Sequence, residues 1–356
     1  MNSTLCGYGW DSTRDADFAP HAARGLVPAR VVRVHGTLCD AVTEDGLVRA
    51  DLTPVTSPDP LAWVCTGDWA ALDPSGDPVL VRELLPRRTT LVRNTSSKRS
   101  EGQVLAANVD TVVIAVSIAA ELDLGRVERF LALAWESGAQ PVVALTKADL
   151  VPEVDHLVTD VATVAPGAPV FAVSAATGSG LEPLAGLLGG GTCVLLGQSG
   201  AGKSTLANAL LGREAQDVRA VRDADGKGRH TTTSRDLLPL PGGGVVIDTP
   251  GLRGVGMWDA ESGVGRVFTE IEALAADCRF HDCAHVSEPG CAVLSAVAAG
   301  TLPERRLDSY RKLLRENAWI AARTDVRLRA EQRTLWKRRS AEGRAAYEAK
   351  RGGRPW

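Results

Sequence analysis

The sequence lacks what would place the protein in a membrane or outside the cell. No apolar run approaches the roughly 20 residues that a spanning helix needs. The first residues, MNSTLCGYGWDSTRDADF, hold no basic stretch followed by an apolar core, so no secretory signal is expected and a cytoplasmic location is. A disulfide framework is missing too. Of 7 cysteines, Cys6, Cys39, Cys65 and Cys193 are scattered while Cys278, Cys283 and Cys291 crowd together, which in a reducing compartment reads as metal ligands rather than bridges. Aromatic residues are only 4%, and no internal repeat or long low-complexity tract occurs. With 44% hydrophobic and 23% charged residues, the composition is that of a soluble globular protein.

The charge is uneven. Residues 301–356 hold 16 Lys and Arg against 7 Asp and Glu, a net +9, so the preceding 300 residues carry −12 of the overall −3. A basic end on an acidic body suits an anionic partner such as nucleic acid; a solvated helical face is the other reading.

A chain of 356 residues has room for two or three domains. Residues 1–27 show little periodicity and read as a flexible leader. Over 28–92, short β-type runs (ARVVRVHG, GLVRADL, AWVCTGDWAAL, PVLVRELL) recur between Gly, Pro and Asp, the texture of a small antiparallel barrel. The polar, basic stretch that follows reads as a linker, placed over 93–108. From 109 to 260, strand runs alternate with helical ones, which predicts βαβ units and a parallel sheet covered on both faces. Residues 261–340 read as helical around the Cys/His cluster, and 341–356 as a basic flexible tail.

GQSGAGKS, Gly197 to Ser204, matches the phosphate-loop pattern between a strand and a helix start. Gly197, Gln198, Ser199, Gly200, Ala201 and Gly202 would wrap a phosphate with backbone N–H groups at a helix N-terminus. Lys203 would reach the β- and γ-phosphates, and the Ser204 hydroxyl, followed by Thr205, would bind Mg²⁺. VVIDTPG, residues 245–251, delivers Asp248 toward Mg²⁺ and the Gly251 N–H toward the γ-phosphate. GRHTTTSRD, residues 228–236, lies between them; Thr232 is favoured among its three threonines as the residue closing on Mg²⁺ and the γ-phosphate.

In PVVALTKAD, Lys147 and Asp149 follow a strand as in guanine-reading segments, where the Asp takes the guanine N1–H and N2–H₂ and the Lys packs along the ring. Thr146 stands where asparagine is usual. The next strand ends in VSAATG, whose Ser174–Ala175 backbone N–H can donate to guanine O6 as the second base-reading element. The two base-reading segments precede the phosphate loop, the reverse of the ordinary order.

The order TKAD, SAATG, GQSGAGKST, TTT, DTPG resembles the circularly permuted GTPases, and more closely the ribosome small-subunit-dependent GTPase A family, over about residues 28–320. The resemblance implies an OB-fold first domain, a permuted GTPase domain and a zinc-binding helical domain. It also implies GTP hydrolysis, with GTP/GDP and Mg²⁺ bound, stimulated by the small ribosomal subunit during its late assembly. Leu252, after DTPG, cannot orient water. His230 is the candidate the family suggests and can polarise water; the alternative is that it shapes the loop or touches RNA. Because the chain leaves the GTPase sheet through DTPGLR, loss of the γ-phosphate is expected to reorient the C-terminal domain.

CRFHDCAHVSEPGC offers Cys278, Cys283, His285 and Cys291, a set of three thiolates and one imidazole that suits one structural zinc. His281 competes as a ligand; the resemblance points to His285. Arg87, Arg88, Arg93, Lys98 and Arg99, the barrel and the basic C-terminal helix are expected to contact rRNA. A monomer without membrane contact is expected. Two other classes compete with this reading. One is a P-loop ATPase or kinase of small-molecule metabolism, which TKAD and SAA disfavour; the other is a non-catalytic, GTP-gated RNA-binding protein. Thr146 cannot supply both the donor and the acceptor of an asparagine, so guanine preference through Asp149 with weaker affinity is expected.

Overall fold

The structure, a computed structural model, describes residues 3–94, 102–212, 235–247 and 260–324. The chain starts with α1 (Ser3–Cys6) and α2 (Ser12–Ala22), where a loose leader was expected. Asp11 caps α2 by accepting from Arg14 N at 2.8 Å. Leu5, Trp10 and Phe18 are buried, and Trp10 stands edge-on to Trp69 at 4.9 Å. The helices are short and mostly polar, so their few large apolar residues leave no visible period; what orders them is packing on the next domain.

That domain is a closed barrel of β1 (Val27–His35), β2 (Leu38–Thr43), β3 (Gly46–Asp51), β4 (Trp69–Asp73) and β5 (Val79–Leu84), in the order β1-β2-β3-β5-β4. Ala29, Val31, Cys39, Ala41, Ala50, Ala70, Leu72 and Val81 fill its interior. The expected linker contains regular structure: β6 (Thr90–Asn94) pairs antiparallel with β7 (Gly102–Ala107). Lys98 and Arg99 lie outside the described residues. The arginines before them are held rather than free. Arg87 is paired with buried Asp68 at 2.7 Å, Arg88 with Asp11 at 2.6 Å, and Arg93 donates to Gln103 at 2.9 Å.

The central sheet alternates β8 (Thr111–Ser117), α3 (Leu124–Glu136), β9 (Gln140–Thr146), α4 (Asp155–Val164), β10 (Val170–Val173), α5 (Leu181–Leu188), β11 (Thr192–Gly197) and α6 (Lys203–Leu211). β12 (Leu237–Pro239) and β13 (Val245–Ile247) complete it. Its order is β10-β9-β8-β11-β13-β12. The sheet is mixed rather than wholly parallel, because β12 runs antiparallel to β13. The short glycine-rich connection over 240–244 can only return the chain on itself, whereas parallel neighbours need a crossover. Leu184, Leu188, Leu206 and Leu210 cover one face. Leu131, Val161 and Val164 cover the other.

α7 (Glu261–Val267) and α10 (Glu304–Thr324) pack onto α3, while α8 (Thr269–Ala275) packs against α7 and α9 (Ala292–Ala298) against α8. Gly263 sets the approach of α7 to α3, since a Cβ there would lie 2.1 Å from Ala132 O. Fully buried Glu128 on α3 accepts from Arg305 at 3.0 Å, Arg306 at 2.8 Å and Ser309.

Candidate nucleotide-binding edge and metal centre

β9, β10 and β11 run parallel in one sheet, so the segments that follow them emerge at one edge. Gly197 turns the chain out of β11 at φ +145°, and a Cβ there would sit 2.3 Å from Ala115 O, so glycine is required beside β8. Gly202, at φ +80°, opens α6, whose first N–H groups face the loop of Gln198 to Ala201. The Lys203 ammonium donates to Gly197 O at 2.8 Å and Gln198 O at 2.6 Å, which keeps its charge inside the loop. Ser204 and Thr205 are exposed on the first turn of α6.

Two side-chain bonds join the other segments to this loop. Thr146, 4% exposed at the end of β9, donates from Oγ1 to Ala201 O at 2.7 Å. Asp149, in the short turn Ala148–Leu150, accepts at Oδ1 from Ser174 Oγ at 2.6 Å. Ser174 is fully buried after β10, with Ala175 next to it, and its Oγ also accepts from Thr177 N at 3.2 Å. Lys147 adopts left-handed backbone at φ +63° and lines a cavity of about 260 Å³ with Ser199, Gly200 and Ala201. Ala119, Ala120 and Phe130 also line this cavity.

The cysteine cluster closes as a set. The donor atoms of Cys278, Cys283, His285 and Cys291 lie within 4.8 Å of one another. A tetrahedral zinc with bonds of about 2.3 Å to sulfur and about 2.05 Å to nitrogen needs S···S near 3.8 Å and S···N near 3.5 Å. Cys278 and Cys291 Sγ are 3.8 Å apart, and His285 Nδ1 lies 3.6 and 3.4 Å from them. The donor set therefore fits zinc. His285 is buried in left-handed backbone at φ +56°, and burial lowers its pKa, which favours the neutral imidazole a metal requires. Cys291 also caps α9, accepting from Leu294 N at 3.4 Å. His281 is exposed and outside the cluster.

Residues 84–258 match the family model described as RsgA GTPase. A protein of Streptomyces avermitilis named small ribosomal subunit biogenesis GTPase RsgA is 68% identical over 98% of this chain and 95% of its own length. The chain belongs to the RsgA GTPase family. A Streptomyces coelicolor protein of the same name is 67% identical over 99% of this chain and 97% of its own. YjeQ from Thermotoga maritima, a solved structure, has a TM-score of 0.61 at 28% identity, covering 82% of this chain and 98% of that one. A structure titled YloQ, a circularly permuted GTPase, shares the fold, with a TM-score of 0.59 at 21% identity over 82% of this chain and 94% of its own.

Permuted order in this RsgA-family chain leaves the edge intact, because β9, β10 and β11 are parallel whatever the order in which the chain visits them. His230, Thr232, Asp248 and Gly251 lie outside the described residues. Reading the sequence assigned Ser174 a backbone role and missed its hydroxyl bond to Asp149. It also missed Gly180, where a Cβ would lie 2.1 Å from Ala172 O. Glycine in GSG after a strand was the only signal for the second; nothing marked the first.

Proposed function

We propose that the chain hydrolyses GTP as a maturation factor of the small ribosomal subunit, acts in the cytoplasm as a monomer, and is stimulated by the subunit it serves. The observation that carries this reading is the pair of side-chain bonds at the sheet edge. Thr146 ties the guanine-reading turn to the phosphate loop, and Ser174 ties that turn to the second base-reading loop. A bound guanine would meet the Asp149 carboxylate, Lys147 along its ring and the Ser174–Ala175 backbone. The phosphates would lie against Gly197, Gln198, Ser199, Gly200, Ala201 and Gly202. Lys203 would exchange its two carbonyl acceptors for phosphate oxygens, a charge-assisted replacement.

Mg²⁺, when bound, would neutralise charge on the β- and γ-phosphates, held by Ser204 with Thr232 and Asp248; Thr205 and Gly251 contribute at the phosphates. His230 polarises the attacking water. One zinc, held by Cys278, Cys283, His285 and Cys291, stiffens a module with few apolar residues of its own. Ribosomal RNA is the proposed anionic partner of the barrel and of α10, where Arg305, Lys312 and Arg315 are exposed and Trp319 is 53% exposed. Among the described residues no helix is long and apolar enough to cross a membrane.

GTP hydrolysis measured with and without purified small subunits at low salt tests the proposal. Stimulation that large subunits do not reproduce is expected; its absence refutes the assignment. An Asp149→Asn variant, whose amide N–H replaces the acceptor for guanine N2–H₂ and can donate to the C2 carbonyl of xanthine, should no longer prefer GTP over xanthosine triphosphate in competition binding. Retained preference would remove Asp149 from base reading.

A further inference from the structure

A cavity of about 200 Å³ lies where the barrel meets β7 and the start of β12, away from the nucleotide-binding edge. Val34 of β1, Trp63 and Thr66 ahead of β4, Gln103 of β7 and Arg235 line it, and none of its lining residues is acidic. Asp236, next in the chain to Arg235, is bound through both carboxylate oxygens by Arg33. Among the described residues no carboxylate pairs with Arg235, and burial with the like charge of Arg93 holds its pKa below the usual guanidinium range. Arg93 in turn donates to the neutral Gln103 Oε1 at 2.9 and 3.2 Å, which leaves the Gln103 amide N–H groups for another acceptor. A half-buried cation without a counter-charge is costly, and an arriving anion relieves that cost.

The side chains around the cavity are held in place. Trp63 lines it and is still 51% exposed. Its Nε1 donates to Ser57 O at 2.8 Å, while Arg87 donates to Trp63 O at 2.6 Å and to Leu61 O at 2.7 Å. Buried Asp68 fixes Arg87 from below, at 2.7 Å. Thr66 Oγ1 donates to Arg235 O at 2.9 Å. Groups that are already ordered lose little freedom on binding. The volume is the share of roughly six or seven waters, which suits a sugar and phosphate and leaves a base outside, against the indole. An aromatic platform beside a cation is how proteins hold single-stranded nucleic acid, because every base offers a face to stack and every phosphate a charge.

We propose that this cavity holds one nucleotide of a single-stranded RNA, its base stacked on Trp63 and its phosphate between Arg235 and the Gln103 amide. The inference rests on reading the barrel as an RNA-facing domain, and it gives that face a defined site. Arg93 adds positive charge behind Gln103.

The test is binding of a fluorescein-labelled uridine decamer to the full chain, saturated with GDP so that the phosphate loop is occupied, and read by anisotropy. Trp63→Ala should weaken binding by about tenfold, the loss of one stacked base, while Trp63→Phe keeps a ring and should stay within about threefold of the parent. Arg235→Gln should weaken it by about fivefold and lower the slope of log K on log salt by about 0.7, one single-strand phosphate. Arg82→Gln, which removes a β5 arginine outside the cavity, is the control for bulk charge and should change affinity by less than about twofold. An abasic decamer separates base from phosphate: the parent should prefer the uridine decamer, and Trp63→Ala should narrow that preference. Melting temperatures report whether each variant is folded. Parent-like affinity in Trp63→Ala, or an Arg235→Gln loss no greater than that of Arg82→Gln, overturns the site while the RNA reading of the barrel stands. UMP that displaced the labelled decamer as well as unlabelled decamer does would make the ligand a free nucleotide and overturn the strand. A parent that binds no decamer at low salt would sink both the site and the RNA reading of the barrel.

Discussion

Thr146 joins the turn proposed to read the base to the loop proposed to hold the phosphates. Its hydroxyl has one proton, and Ala201 O in the phosphate loop, at 2.7 Å, is a nearer acceptor than Val116 O at 3.3 Å. Replacing Thr146 with valine keeps the shape but leaves the Ala201 carbonyl without its buried donor, at a cost of about 1–3 kcal/mol. We expect Thr146→Val to bind GDP roughly tenfold more weakly by calorimetry, a loss of about 1.4 kcal/mol. An affinity equal to the parent's would mean that the bond contributes nothing to the bound state. Thr146→Asn carries both a donor and an acceptor and should bind GDP more tightly than the parent. Ser174 is a second such residue: its Oγ donates to Asp149 and accepts from Thr177 N, so Ser174→Ala should let the Asp149 carboxylate turn away and weaken GTP preference over ATP in competition binding.

α3 is the element that joins the catalytic sheet to the C-terminal helices. It is amphipathic in an unusual sense, because the side that leaves the sheet is buried again by α7 and α10. Glu128 lies in that second interface with no exposure, between Arg305, Arg306 and Ser309. Removing one partner of a buried pair leaves the other uncompensated, at about 3–5 kcal/mol. Glu128→Ala should therefore lower the melting temperature and loosen α10, read as faster amide exchange over 304–320. Because Arg306 keeps Glu270 as a second acceptor, Glu128→Gln should cost less. Equal losses in the two variants would show that the charge, which both remove, is what matters. Gly263→Ala acts on the same interface through shape, since the new methyl would meet Ala132 O.

For the whole molecule, the three parts are held by contacts of different kinds. Cys278, Cys283, His285 and Cys291 gather residues 278–291 around one point, and as proposed zinc ligands they must be deprotonated to bind metal. Chelation should melt this module, seen as lost amide protection around α9, while leaving GDP binding within about twofold because the phosphate loop belongs to the central sheet and the cluster to the C-terminal helices. Loss of nucleotide binding on chelation would contradict that separation. The docking of α7 and α10 onto α3 bears on the expected reorientation after hydrolysis. Any change passed to the C-terminal helices must move them with α3 or break the Glu128 cluster. Small-angle scattering with GDP and with a non-hydrolysable GTP analogue, free and subunit-bound, reads the difference; identical profiles would mean that no such reorientation occurs.

Short-range chemistry was legible in the sequence. A phosphate loop is eight neighbouring residues between a strand and a helix, and a Cys/His cluster of this kind sits within fourteen, so spacing marks both, although the choice of His285 over His281 came from the family resemblance. The barrel and the alternating strands and helices were legible for a similar reason, since period and punctuation are local. What the tertiary structure decided is where distant residues meet. Arg33 and Asp236, Thr146 and Ala201, and Glu128 with Arg306 are far apart in the chain, and nothing in their immediate neighbours marks them as partners. The N-terminal helices were hidden likewise, because Trp10 and Phe18 acquire meaning only against Trp69. Local composition fixes which groups can do chemistry; the packing of one domain on another fixes which of them are held in place to do it.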